Sequence, residues 1–137
     1  MNRLSRVVIT IFVLIAVTIS TNIAPVHAAT TWIVTNLSDS GSGSLRHAIE
    51  NSLEGDTVIF DSSLSGQTII TSGITINHDL KVDGSGLTSQ ITISGNNLYR
   101  VFNINSGITV TLDSLIITHG KAPYGSMGGG ILSAGIV

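Results

Sequence analysis

Residues 80–95 read Leu80-Lys81-Val82-Asp83-Gly84-Ser85-Gly86-Leu87-Thr88-Ser89-Gln90-Ile91-Thr92-Ile93-Ser94-Gly95 and hold two copies of one pattern, a short alternating strand closed by glycine. Leu80 and Val82 in the first copy, and Ile91 and Ile93 in the second, put one face inward and leave the other in water. The pattern runs outward in both directions, from Val58 to Gly120. Inward anchors set at Ile59, Ile70, Val82, Ile93, Ile104 and Ile117 are 11, 12, 11, 11 and 13 residues apart. Two steps make a coil of ~22 to 24 residues, a period that marks stacked solenoids.

The predicted strands are Thr57–Phe60, Gln67–Ile70, Ile74–Ile76, Leu80–Asp83, Gln90–Ser94, Arg100–Ile104, Thr109–Leu112 and Leu115–Thr118, all too short for helices. Turn signals separate them at Ser65-Gly66, Ser72-Gly73, Gly95-Asn96-Asn97, Ser106-Gly107 and His119-Gly120. Upstream, Thr31 to Thr35 alternates as a first strand, and then the period changes. Leu45, Ala48, Ile49 and Leu53 share one helical face, with Ser44 placed to cap the first turn and Gly55 to end the last. An amphipathic helix over Ser44 to Leu53 would cover the apolar end and unpaired strand edges of the stack. The fold expected is therefore all-β, a parallel β-helix of about three coils behind a short N-terminal capping helix.

Composition agrees. Only 10% of residues are charged and 4% aromatic, and all 15 glycines lie between Gly41 and Gly135. Arg3 and Arg6, the apolar run Val7 to Ile19 and the small-residue ending Val26-His27-Ala28 have the three-part layout of a secretory signal peptide over residues 1–28. The run of 13 residues falls short of the ~20 needed to span a bilayer as a helix. The export signal is then the chain's sole tie to a membrane. Beyond Ala28, residues 29–56 form the strand-and-cap region and residues 57–137 the coils, with four basic residues against eight acidic ones. That balance repels phosphate backbones and argues against nucleic acid as a partner. The chain has no cysteine, so the expected stack holds without disulfides. Asn36-Leu37-Ser38 is a formal glycosylation sequon that has meaning only in a eukaryotic secretory pathway.

Val34-Thr35-Asn36-Leu37, Asp39-Ser40-Gly41, Gly43-Ser44-Leu45-Arg46, Ala48-Ile49 and Thr57 to Asp61 together resemble the start of secreted bacterial right-handed parallel β-helix proteins. That group bears a Ser-Leu-Arg-x-Ala-Ile segment and is related to polymorphic outer-membrane and adhesin-like proteins. Phe102-Asn103-Ile104-Asn105 resembles their Phe-x-x-Asn element, and Gly128 to Ile131 approximates their Gly-Gly-Ala-Ile. Where such proteins often carry Cys before the Ser-Leu-Arg and Glu after it, this chain has Gly43 and His47, so no cysteine-linked role carries over. The resemblance implies surface display or adhesion, with glycans or cell-surface proteins as partners. A plain core phenylalanine also accounts for Phe102.

Parallel β-helices also serve as polysaccharide lyases, which need a base and a cationic or calcium-filled site. The coils offer Asp83, Asp113, Lys81 and Arg100. Asp83 and Asp113 read as turn carboxylates bonding nearby N–H groups, Lys81 as a solvated surface cation and Arg100 as a strand-end or ion-paired residue. No close acidic pair is apparent for glycoside hydrolysis. His47, His78 and His119 lack metal spacing, and the glycines lack a dinucleotide or phosphate loop. No catalytic, cofactor or metal residue is assigned. The expected function is an exported, non-catalytic surface or adhesin-like β-helix. The alternatives are a pectate-lyase-like enzyme with active coils beyond Val137 and a defunct fragment. Gly128 to Val137 reads as the start of a coil without a cap, which predicts truncation and self-association at that edge.

Overall fold

A computed structural model describes residues 27–137. The signal-peptide segment lies almost wholly outside the described residues. Ten short strands stack in three parallel sheets around one narrow apolar interior, which makes the chain a parallel β-helix. The strands are β1 (Thr31–Val34), β2 (Asp56–Phe60), β3 (Thr68–Ile70), β4 (Ile74–Ile76), β5 (Leu80–Asp83), β6 (Ile91–Ser94), β7 (Phe102–Ile104), β8 (Val110–Asp113), β9 (Leu115–Thr118) and β10 (Ile131–Ser133). The first sheet runs β1-β2-β5-β8, the second β3-β6-β9 and the third β4-β7-β10. Each full turn thus has three faces. The expected two-step coil is corrected to three strands per turn, because the chosen anchors pass over β4 and β8.

Register is set by apolar side chains falling on one another. Val58 pairs with Val82, and Val82 with Leu112, on the first face. Ile69, Ile93 and Ile117 line the second, and Ile74, Phe102 and Ile131 the third. The repeat is 24 residues from Val58 to Val82 but 30 from Val82 to Leu112, so the period is looser than the anchor spacing implies. Two anchors are corrected as well. Ile59 faces outward between buried Val58 and Phe60, and Ile70 is 53% exposed while Ile69 is buried. In such short strands a shift of one residue reverses every side chain. In strand runs where neighbouring residues are both apolar, as at Val58-Ile59 and Ile69-Ile70, alternation alone cannot choose the inward one.

The helix α1 (Leu45–Asn51) lies where the first turn would otherwise place strands on the second and third faces, contacting β1, β2 and β4. Leu45, Ala48 and Ile49 are buried in the common core. Ser44 caps it, its hydroxyl accepting from the His47 backbone N–H at 3.1 Å. The helix stops at Ser52, not at Gly55, and the expected core residue Leu53 is 55% exposed. Ser52 ends the run by turning extended, at ψ 159°, while its N–H makes the last helical bond to the Ala48 carbonyl. Gly55, at φ +84°, instead makes the turn into β2. Replacing Ser44 with alanine orphans one half-buried N–H and is expected to cost about 1 kcal/mol, read as a lower denaturant midpoint. A midpoint equal to wild type would remove the capping role.

Arg46 ties the cap to the body. Its guanidinium donates to the Asp39 carboxylate at 2.9 Å and to the Ser72 hydroxyl at 3.0 Å, and the Ser72 hydroxyl donates to Asp39 at 2.6 Å. This joins the turn after β1, the helix and the corner before β4. Asn36 of the sequon is spent on the same turn, its amide donating to the Ser42 carbonyl and its oxygen accepting from the Ser38 N–H.

Candidate functional site

The chemical candidates fall on two flanks. On the outer surface of the first sheet, Asp83 and Asp113 are register partners on β5 and β8. The expectation that the coils hold no close acidic pair is thereby corrected. The two carboxylates are 30 residues apart in the chain, off the apparent repeat, and stacking alone makes them neighbours. Lys81 lies between them, its Nζ 2.7 Å from Asp83 Oδ2 and 3.6 Å from Asp113 Oδ2. The expected solvated role of Lys81 is therefore corrected to a bridge between two rungs. Asp83 also accepts from the Ser85 N–H at 2.9 Å, as its Asp-Gly turn predicts. Ser114, at φ 56°, forms the whole corner between β8 and β9 and donates its hydroxyl to Asp113.

Lys81 offsets one of the two carboxylate charges and leaves the cluster acidic. The Lys81 bond, then the Ser85 contacts, hold the Asp83 carboxyl at about 2, and the same pairing raises the Lys81 ammonium. A general base works best with a pKa near the operating pH, which Asp83 misses by a wide margin. Asp39 behaves alike. Burial raises its carboxyl, but the bonds from Ser72 and Arg46 prevail and hold it at about 2. Both groups have folded values below the ordinary 3.8, so their contribution is present above that pH and lost as pH falls toward 2. Melting followed by circular dichroism should show a midpoint that is flat above about pH 5 and falls steeply below about pH 4. A midpoint unchanged through that acid range would contradict the pairing.

The histidines remain apart. His47 lies on α1 with its ring edge-on to Trp32, at a centroid distance of 6.3 Å. His78 meets the Ser52 hydroxyl at 2.9 Å, and His119 sits beside Thr118 in a turn at φ 48°. Among the described residues no three His, Asp or Glu side chains converge as a metal site. None of the described helices is long and apolar enough to cross a membrane.

The second flank is the corner between the second and third sheets, which lengthens from three residues before β4 to seven before β7 and twelve before β10. These loops stack. The Lys121 N–H donates to the Tyr99 carbonyl at 2.9 Å, and the Asn97 N–H to the His119 carbonyl at 2.7 Å. Glycine permits the close approach: a Cβ on Gly73, at φ +94°, would come within 2.9 Å of the Arg100 carbonyl, and one on Gly95 within 3.0 Å of the Gly120 Cα. Arg100 is neither a free strand end nor part of an ion pair among the described residues. It donates to the carbonyls of Gly128 at 2.8 Å and Met127 at 3.0 Å and to the Ser126 hydroxyl at 2.9 Å, which pins the longest loop.

The result is a groove of about 450 Å³, floored by Ile74, Thr75 and Asn103 and walled by Leu98, Tyr99, Arg100, Lys121 and Pro123. Its size falls within the range of ligand clefts, roughly 300 to 1,000 Å³. Sequence reasoning missed it, since Leu98, Tyr99 and Lys121 belong to loops without a motif. The one available signal was the growth of the Gly-rich corner from turn to turn. No family model, no curated protein and no solved structure matches the chain.

Proposed function

We propose that this chain is an exported, non-catalytic surface β-helix of adhesin-like type that works by binding. The observation that carries the reading is the lengthening corner, whose loops hold Leu98, Tyr99, Tyr124 and Met127 out in solvent on a rigid stack. Exposed apolar and aromatic side chains on well-anchored loops are the usual material of a recognition surface. The layout of residues 1–28 supports export, and the spent carboxylates on the opposite flank support a role without chemistry. Processing after Ala28 would remove His27, whose Nε2 lies 2.9 Å from Asp56, and leave Asp56 its three other donors.

The full chain, produced in an exporting host with its own N-terminal segment, should bind glycan-coated surfaces or whole cells. A folded sample that binds neither would overturn the proposal. The stacked pair Asp83 and Asp113 with Lys81 is what a lyase would recruit, so polygalacturonate with calcium is the control substrate. No turnover is expected. Turnover abolished by Asp83→Asn would replace the binding reading with an enzymatic one.

A further inference from the structure

We propose that the groove at the corner of the second and third sheets binds an acidic saccharide, an inference that rests on the surface-binding reading and names its ligand class. Three features converge there. Lys121 is exposed and its side chain has no hydrogen-bond or ion-pair partner among the described residues, so its ammonium is available to a ligand. Arg100 adds a second positive charge on the same wall, with two of its nitrogens bonded to neutral groups and no carboxylate partner among the described residues. Tyr99 precedes Arg100 in the chain, its carbonyl accepts from the Lys121 N–H, and it is 48% exposed, offering an apolar ring face with a polar tip.

The floor complements this. Thr75 and Asn103 are register partners on β4 and β7 and point outward, giving a hydroxyl and an amide one rung apart along the groove. Such a row suits a ligand with closely spaced hydroxyl groups, while the ring and Leu98 suit the apolar face of a pyranose. Asp39 is the acid bonded to a groove-lining residue, through Ser72, and Arg46 neutralises it. The local charge is therefore positive in a chain that is acidic overall. A neutral sugar would leave Lys121 without a counter-charge, whereas a carboxylate or sulfate supplies one. The shared chemistry is an anionic pyranose, and the test separates its two sources.

The experiment is titration calorimetry of the full chain, purified from an exporting host, with tetragalacturonate, a heparin tetrasaccharide and neutral maltotetraose. At least one acidic tetrasaccharide should bind at least tenfold more tightly than maltotetraose. Lys121→Gln, a substitution of an exposed side chain, should weaken that binding about tenfold, and raised salt should weaken it further. Tyr99→Ser should weaken it as well, with the circular dichroism spectrum unchanged. Preference for tetragalacturonate identifies a carboxylate, preference for the heparin fragment a sulfate. Equal affinity for maltotetraose, or acidic binding that ignores Lys121→Gln, overturns this inference while the surface-binding reading stands. A folded chain that binds no glycan and no cell overturns both.

Discussion

Phe102→Ala is expected to destabilise the solenoid by about 4 kcal/mol, more than any other core truncation, and to move the urea midpoint accordingly. Phe102 is fully buried and occupies the middle rung of the third sheet, between Ile74 and Ile131. Removing its ring forfeits apolar burial and also opens a cavity. The lining cannot collapse to fill it, because β7 is hydrogen-bonded on both edges, to β4 and β10, and neither neighbour can move without breaking a ladder. In a stack whose turns contact only their neighbours, a loss in the middle turn uncouples both sides. A total stability of 5–15 kcal/mol for a domain leaves little room for such a loss. A shift worth less than about 1 kcal/mol would show that the interior is loose enough to close.

Asp56→Ala should cost about 3 kcal/mol and shift the emission of Trp32, the chain's single tryptophan, to longer wavelength. Asp56 is 1% exposed and was not singled out in the sequence. Its Oδ1 accepts from the Thr30 N–H at 2.7 Å, and its Oδ2 accepts from the Trp32 indole at 3.0 Å and the Leu53 N–H at 2.9 Å. One carboxylate thus joins the start of β1, the exit of the cap helix and the start of β2. Burial pushes its acidity down, but these bonds outweigh it and hold the carboxyl well below the ordinary range. Alanine would leave three donors without their acceptor, each costing about 1 to 3 kcal/mol if it stays dry. Asp56→Asn should also destabilise, since its NH₂ replaces one acceptor with a donor facing donors. An asparagine variant as stable as wild type, with unshifted emission, would mean that water reaches these groups in the folded state.

Both residues show what local pattern can and cannot convey. Phe102 was readable as core because the polar Asn103 separates it from Ile104 and sets the two on one face, and Ser44 as a cap because a hydroxyl precedes a helical period. Ile59 and Ile70 were assigned to the wrong side because each has an apolar neighbour, so parity had no local tie-breaker. Lys81, Asp83 and Asp113 look unremarkable singly, and they become a cluster through the 30-residue register between β5 and β8. Arg100 changes from a strand-end or ion-paired residue to a loop clamp because Gly128 folds back over it.

By itself the sequence determined the class of fold, the helix at its head and most strand positions, since these follow from side-chain period, turn residues and capping, all of which act within a few residues. The tertiary structure alone decided the number of faces, which of two adjacent apolar residues enters the core, and which distant side chains meet. Those depend on how corners of different lengths close each turn and set the register of the next. The physical reason is that stacking hydrogen bonds join residues 24 to 30 positions apart, so the groove around Lys121 and Tyr99 exists only once three successive corners lie on one another.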